Sequence, residues 1–169
     1  FWTPETAGLH HIIADRAHVA HLVEEACHKA GLGPVFCGSL SKEISLWLKD
    51  DFQPAIASAQ PDTACIWTGE LTIPLGADPP PGGRCHEAAA WASTLMNPGQ
   101  ACAAFGTDGL DGTSGGAGAV TAALPEMTPC PRSALAKHDS LGWCRSGGAS
   151  LPRIFTGSNL NDVVVLVTQ

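Results

Sequence analysis

The sequence predicts a layered α/β fold, and three observations support this prediction. Short apolar runs that favour strands alternate along the chain with apolar residues at helical spacing. The chain has 169 residues, of which 44% are hydrophobic, which is enough to bury one core. No internal repeat and no shift of composition divides the sequence, so we expect a single domain over residues 1–169.

The first elements predicted are a strand, a helix and a second strand. Residues 10–14 favour a strand, and Asp15 is a suitable N-cap for the helix that follows. Apolar residues then recur at helical spacing until Gly31, where the pattern stops. Residues 34–37 are predicted to form the second strand.

A second helix is expected after Ser41, which can cap it, and its apolar face would consist of Ile44, Trp47 and Leu48. Pro54 should kink or end this helix because proline lacks the N–H that a helix interior needs. Residues 64–68 and 71–75 then resemble two strands, divided at a Gly-Glu pair.

The middle of the chain predicts a loop, a helix and a strand. Three prolines and two glycines over residues 79–83 form a loop that leads to Arg84, the start of an Ala-rich helix that reaches about Met96. Residues 101–105 favour a strand, and the glycine-rich stretch 106–119 is interpreted as the loop behind it.

The last third of the chain has a weaker pattern because prolines interrupt it. Short helices are expected over residues 133–137 and 141–145, and a strand over residues 153–155. Residues 163–167 are strongly β-branched and predict a buried strand.

Charge and composition exclude several classes of partner. The formal net charge of −7, with nine scattered Lys and Arg residues, argues against a nucleic-acid or anionic-membrane surface. Neither a signal peptide nor an apolar run long enough to span a bilayer is present, so a cytoplasmic location is expected. The seven cysteines form no CxxC pair, and reduced thiols are expected.

The loop that begins at Gly106 carries two carboxylates among glycines, and packing alone does not explain this arrangement. Asp108 and Asp111 could supply hard oxygens for Mg²⁺ or for sugar hydroxyls, while the glycines allow a close approach of the backbone. The alternative is an ordinary tight loop in which the aspartates form turn hydrogen bonds.

Five motifs occur in an order that resembles the MOFRL domain, the C-terminal half of the glycerate 2-kinase family, some of whose members are labelled hydroxypyruvate reductases. The motifs are TGELTI at 68–73, GGRCHE at 82–87, GTDGLDG at 106–112, HDS at 138–140 and TGSNLND at 156–162. The resemblance implies a mixed sheet flanked by helices. It also implies that the chain is one MOFRL-like domain that lacks the family's N-terminal Rossmann-like domain.

The same resemblance implies a site in a cleft between the two domains, where glycerate and Mg-ATP bind. It assigns catalysis to Arg84 and Asp108, and metal binding to Asp108 and Asp111. Substrate binding would fall to the remaining matched polar residues, which are Glu70, Glu87, Asn159, Asn161 and Asp162.

Departures from the family pattern put substrate choice and activity in question. Cys85 and His86 replace an Asn-Gln pair, Gly115 stands where the family has an acid, and His138 stands where it has an Asn. No phosphate-binding GxxxxGK[ST] loop is present, and no GxGxxG supports a nicotinamide site, so the reductase label is discounted.

The favoured interpretation is the C-terminal lobe of a glycerate-kinase-like phosphotransferase that acts on a small sugar acid and is inactive without a Rossmann-like domain or subunit. A stand-alone binding module that has lost turnover, and a module used for assembly, are the alternatives.

Overall fold

Six strands form one mixed β-sheet in the computed structural model, which describes residues 13–123 and 130–169. The strands are β1 Gly33–Leu40, β2 Thr63–Gly69, β3 Gln100–Gly106, β4 Gly116–Ala122, β5 Ser150–Pro152 and β6 Asp162–Thr168. Their spatial order is β1-β2-β6-β3-β4-β5. β1 and β2 are parallel, and every other neighbouring pair is antiparallel. The predicted layered α/β fold with a mixed sheet is therefore confirmed.

The last strand of the chain, β6, lies in the centre of the sheet between β2 and β3. Its side chains alternate between two apolar cores, with Val163 and Val165 on one face and Val164 and Leu166 on the other. A strand buried on both faces has few polar positions, which explains its continuous apolar sequence. The prediction of a buried terminal strand is confirmed.

The antiparallel pairing of β6 brings three strand ends together. Gly69 at the end of β2 and Gly106 at the end of β3 both lie opposite Asp162 at the start of β6. We call this end of the sheet the C-terminal edge, because β2 and β3 end there. Every loop that leaves β2 or β3, or enters β6, starts or ends there.

Helices cover both faces of the sheet. They are α1 Arg16–Lys29, α2 Ile44–Trp47, α3 Gln53–Ser58, α4 Arg84–Ser93, α5 Arg132–Leu135 and α6 Ser140–Ser146. α1 packs on β1 and β2, whereas α4 packs on β3 and β4. Within the described ranges, no helix is both long enough and apolar enough to cross a bilayer.

The first helix begins and ends as predicted. The Asp15 side chain accepts hydrogen bonds from the N–H groups of Ala17 and His18, and Gly31 adopts a φ of +78° just after the helix. Of the strand predicted over 10–14, residues 10–12 lie outside the described residues, and residues 13 and 14 have no regular structure.

The second helical region differs from its prediction at both ends. Ile44, Trp47 and Leu48 are buried as expected, but α2 begins after Glu43, and Ser41 does not cap it. A π-helical turn, Leu48–Phe52, joins α2 to α3. Pro54 therefore lies in the first turn of α3, where its missing N–H is not needed, and the helical region continues to Ser58.

The glycine-rich stretch 106–119 is shorter as a loop than predicted, because its end forms β4. Glycine and alanine have low strand propensity, but here they allow α4 to lie directly on the sheet. Gly118 has a φ of +145°, and a side chain there would overlap the backbone oxygen of Ala104. This close approach depends on tertiary packing.

Two further strand predictions are wrong. Residues 71–75 form only an isolated bridge between Thr72 and Glu43, because the chain turns away from the sheet after Gly69. The strand predicted over 153–155 is found earlier, as β5, and Phe155 is 90% exposed. The strand over 101–105 and the short helices over 133–137 and 141–145 are confirmed with small shifts of their ends.

The start of α4 is fixed by a side chain from the loop after β3. Gly83 occupies the N-cap position and has no side chain to cap the helix. Asp111 performs this role, because its two carboxylate oxygens accept the N–H groups of Cys85 and His86 at 3.0 and 2.9 Å. The neighbouring backbone is joined as well, since the Thr113 N–H donates to the Gly82 oxygen at 2.8 Å.

We expect Gly83→Ala to destabilise the fold, because a methyl group at this position would overlap the Asp111 carboxylate. The cost should be roughly 1–3 kcal/mol, the range for an overpacked buried site. Urea unfolding monitored by tryptophan fluorescence measures it. Gly76→Ala is the matched control, since a methyl group there meets nothing within 4 Å. Equal stability of the two variants would contradict the capping role of Asp111.

Candidate functional site

A cavity of about 660 Å³ opens at the C-terminal edge of the sheet, and we call it the edge cavity. It lies between the segment after β2, the loop before α4 and the loop after β3. Its lining residues are Glu70, Leu71, Thr72, Ile73, Leu75, Pro79, Pro80, Gly82, Gly83, Arg84, Glu87, Gly112, Thr113 and His138.

Arg84 stands on one wall of the edge cavity, at the first position of α4. Its Nε donates to Asp162 Oδ2 at 3.0 Å, and its Nη1 donates to Glu70 Oε2 at 3.1 Å. The topology explains this cluster, because Glu70 follows the last residue of β2 and Asp162 is the first residue of β6. The structure thus brings together three residues that the sequence assigned to one site.

The two contacts use Nε and Nη1, and no described residue is seen to accept the N–H groups of Nη2. A guanidinium has five N–H donors in one plane, and the Arg84 side chain is 40% exposed. Its position in the cavity wall suits a planar carboxylate or a phosphate.

Two acids near Arg84, Asp162 and Glu87, are buried and differ from ordinary surface carboxylates. Burial raises the pKa of Asp162 to about 6, although Arg84 opposes this rise, and the negative charge of Asp111 adds to it. Burial also raises the pKa of Glu87 above its usual value, against the effect of its partner His138. Both carboxyl groups therefore ionise less readily in the folded state than in water, and their contribution to the free energy of unfolding depends on pH.

A histidine–glutamate pair lies beside Arg84 in the edge cavity. Glu87 is one helical turn beyond Arg84, and its Oε1 lies 2.9 Å from His138 Nδ1. The Glu87 side chain is only 5% exposed, whereas that of His138 is 29% exposed. His138 has a φ of +56°, so a left-handed backbone turn directs this ring towards α4.

The two loop aspartates occupy positions behind the cavity lining. Asp108 Oδ1 accepts the Leu110 N–H at 2.9 Å, which is the turn hydrogen bond that the alternative interpretation anticipated. Asp111 is 3% exposed, and its carboxylate accepts two backbone N–H groups of α4 and contacts the His86 ring. Among the residues described by the structure, no group of three or more potential His, Cys, Asp or Glu ligands could hold a metal ion.

The two asparagines predicted to bind substrate shape the loop before β6. Asn159 Oδ1 accepts the Asn161 N–H at 3.1 Å, and Asn161 adopts a φ of +73°. The Asn161 carbonyl accepts the Thr107 N–H and hydroxyl, so it ties this loop to the loop after β3. Neither asparagine lines the edge cavity, and the substrate-binding roles of all the matched residues stay predictions.

Sequence reasoning missed two features of this region. The first is the apolar wall of Leu71, Ile73 and Leu75, which had been interpreted as a strand. The second is the buried pairing of His86 with Asp111 and Ser150. The sequence did mark His86 as unusual, because it stands where the family that the chain resembles has an amide. Its partners Asp111 and Ser150 are distant in sequence, so the pairing could not be predicted.

We expect the free energy of unfolding to fall as the pH rises from about 4 to about 6. A pKa of about 6 for Asp162 in the folded state, above the usual value of an aspartate, means that only the folded state keeps the proton in this window. The contribution should be on the order of 2–3 kcal/mol. Urea unfolding at several pH values measures it.

Asp162→Asn should reduce this slope, because the amide does not titrate. Asp78→Asn, in an exposed loop, is the control with the same change of charge. A slope that is identical in the Asp162→Asn variant and the unsubstituted chain would refute the assignment to Asp162.

Comparison with known proteins places this architecture among related chains. The model of the MOFRL family matches residues 63–162. A search of curated proteins found no match. The chain is similar to the solved structure of the PH0495 protein from Pyrococcus horikoshii OT3, with a TM-score of 0.82, 21% identity and 95% of this chain covered. It is also similar to a glycerate kinase from Thermotoga maritima, with a TM-score of 0.80, 22% identity and 94% of this chain covered.

Both likenesses concern the fold, and the chain spans only 40% and 42% of the lengths of these two proteins. The family match includes the segment after β2, the loop before α4, the start of α4, the loop after β3 and His138, which together line the edge cavity. Because the match covers more than half of the sequence, this chain belongs to the MOFRL family.

Proposed function

We propose that this chain is the C-terminal lobe of a glycerate-kinase-like phosphotransferase, in which the edge cavity binds a small sugar acid. The observation that carries the proposal is the partly exposed guanidinium of Arg84, which two acids orient in the wall of a 660 Å³ cavity. The structural neighbour from Thermotoga maritima is named as a glycerate kinase, which agrees with this class of activity.

Arg84 would bind the carboxylate of the sugar acid. Its Nε and Nη1 contacts with Asp162 and Glu70 fix the guanidinium plane, so little side-chain freedom is lost when a ligand binds. Gly82 and Gly83, in the loop before α4, line the cavity beside Arg84, so the ligand would also meet backbone there.

The His138–Glu87 pair would orient the hydroxyl that receives the phosphoryl group. With Nδ1–H donating to the Glu87 carboxylate, His138 Nε2 is left as an acceptor for a substrate hydroxyl proton. Phosphoryl transfer depends mainly on position and charge. A group beside Arg84 that accepts the hydroxyl proton would therefore complete the part of the site that binds the sugar acid.

The second substrate, ATP with Mg²⁺, requires further groups. Magnesium is usually held by one or two carboxylates together with substrate phosphates, and it neutralises the charge that develops on them. Asp111 suits this role poorly because backbone N–H groups occupy both of its oxygens, whereas Asp108 has one oxygen free of the Leu110 bond. The rest of the nucleotide site would come from a Rossmann-like domain or subunit.

We expect glycerate to raise the melting temperature of the chain, because a ligand held only by the native state stabilises it. Arg84→Ala should weaken glycerate binding roughly 10- to 100-fold, the loss expected for hydrogen bonds to a charged group. Arg132→Ala, an exposed arginine on α5, is the control with the same change of charge. Isothermal titration calorimetry gives both affinities.

The outcomes separate the candidate functions. A shift with glycerate that Arg84→Ala removes supports the proposal. No shift with glycerate, phosphate or Mg-ATP would favour an assembly module and would overturn the proposed binding site.

Turnover is a separate prediction. In an assay that couples ADP release to NADH oxidation, the chain alone should not phosphorylate glycerate, because the nucleotide site needs a second domain. Addition of the N-terminal domain of a glycerate kinase in trans is expected to restore ADP release. Turnover by the chain alone, lost in Arg84→Ala, would contradict the need for a partner.

A further inference from the structure

Hydrogen bonds connect three side chains between the start of α4 and the strand β5. They are Asp111, His86 and Ser150. His86 Nδ1 lies 2.6 Å from Asp111 Oδ2, and His86 Nε2 lies 2.9 Å from Ser150 Oγ. The acid and the histidine are 3% and 0% exposed, whereas the serine is partly exposed. A histidine held between a buried acid and an accessible serine is the arrangement that activates a serine nucleophile.

Hydrogen-bond accounting fixes the roles of the two ring nitrogens. A carboxylate accepts only, so Nδ1 must carry the proton that is donated to Asp111. In the neutral ring Nε2 is then an acceptor, and the hydroxyl of Ser150 is its donor. This is the tautomer that can remove a proton from a serine hydroxyl.

The acid itself is held in a fixed orientation. Its Oδ1 accepts the Cys85 N–H, and its Oδ2 accepts the His86 N–H in addition to the ring contact. The backbone of α4 therefore orients both the acid and the histidine, because His86 is part of the same helix. Such support keeps the ring aligned with the serine.

Ser150 lines a second cavity, of about 340 Å³, whose lining shares no residue with that of the edge cavity. Gly116 also lines it, and a methyl group there would lie 3.4 Å from Ser150 Oγ and 3.6 Å from His86 Cε1. The glycine thus leaves space beside the Ser150 hydroxyl, whereas the His86 ring itself is fully buried. Arg145 lines the same cavity and places a positive charge in it.

We propose that Asp111, His86 and Ser150 form a second, hydrolytic site whose nucleophile is Ser150 and whose substrates are small esters that carry a carboxylate. A cavity of about 340 Å³ suits a small ester, and Arg145 favours an anionic substituent. This site is independent of the phosphotransfer proposed for the edge cavity.

The reaction balances with water as the co-reactant. Ser150 Oγ forms a bond to the ester carbonyl carbon while its proton moves to His86 Nε2, and the carbonyl oxygen becomes an oxyanion. The carbon–oxygen bond to the leaving group then breaks, and His86 returns the proton to the departing alcohol. Water repeats these steps on the acyl-serine, which releases the acid and restores the hydroxyl.

A small alkyl fluorophosphonate tests the nucleophile directly. Ser150 Oγ should displace fluoride from phosphorus, and mass spectrometry of the digested protein should show one equivalent of label on the peptide that contains Ser150. Ser150→Ala should abolish the label, whereas Ser45→Ala, an exposed serine on α2, should not change it. Absence of label from the unsubstituted chain, or label at another serine, would overturn the proposal.

His86→Gln separates a catalytic role from a structural one. The amide can still hydrogen-bond to Asp111 and Ser150 but cannot accept a proton, so labelling should slow at least about 100-fold. The melting temperature of each variant reports its folding. An unchanged labelling rate in folded His86→Gln would also overturn the proposal.

The substrate class is tested with two p-nitrophenyl esters, the acetate and the half-ester of succinate. The succinate ester should have the lower KM, and Arg145→Ala should raise this KM towards that of the acetate. Equal KM values for the two esters in the unsubstituted chain would contradict the assigned class. Hydrolysis that persists in Ser150→Ala would contradict the assigned nucleophile.

Discussion

The carboxylate of Asp111 is the interaction on which both sites depend. It accepts the N–H groups of Cys85 and His86 at the start of α4, which no side chain at Gly83 could do. The loop after β3 is thereby joined to the helix that packs on β3 and β4. A buried carboxylate is stable only where several donors meet it, so this contact fixes the relative position of the helix and the loop.

This position has a direct consequence for the edge cavity. With Gly83 as the N-cap of α4, Arg84 lies next to Glu70, which follows β2, and next to Asp162, which begins β6. The three side chains meet there. Glu87 follows on the next turn and reaches His138. The site is therefore built at the C-terminal edge of the sheet, from groups that the antiparallel β6 brings together.

The same carboxylate relates the edge cavity to the second cavity. Asp111 approaches Gly83 on the edge-cavity side and the His86 ring on the other, and the loop contributes Gly112 and Thr113 to one cavity and Gly115 and Gly116 to the other. Asp111, for which the sequence predicted metal binding, supports a helix start and contacts a histidine in this structure. Asp111 is buried and accepts hydrogen bonds from α4, whereas Asp108 is partly exposed and accepts the Leu110 N–H within its own loop.

The sequence by itself determined the fold class, the burial of β6 and the extent of α1. These features follow from local periodicity and capping, which are properties of short segments. The grouping of Arg84 with Glu70 and Asp162 came from the resemblance of the motifs to the MOFRL domain. Tertiary structure alone decided that glycines and alanines form β4 under α4, that Pro54 follows a π-helical turn, and that Ser150 meets His86. Each of these depends on contacts between residues distant in the chain, where packing and buried hydrogen bonds outweigh local propensity.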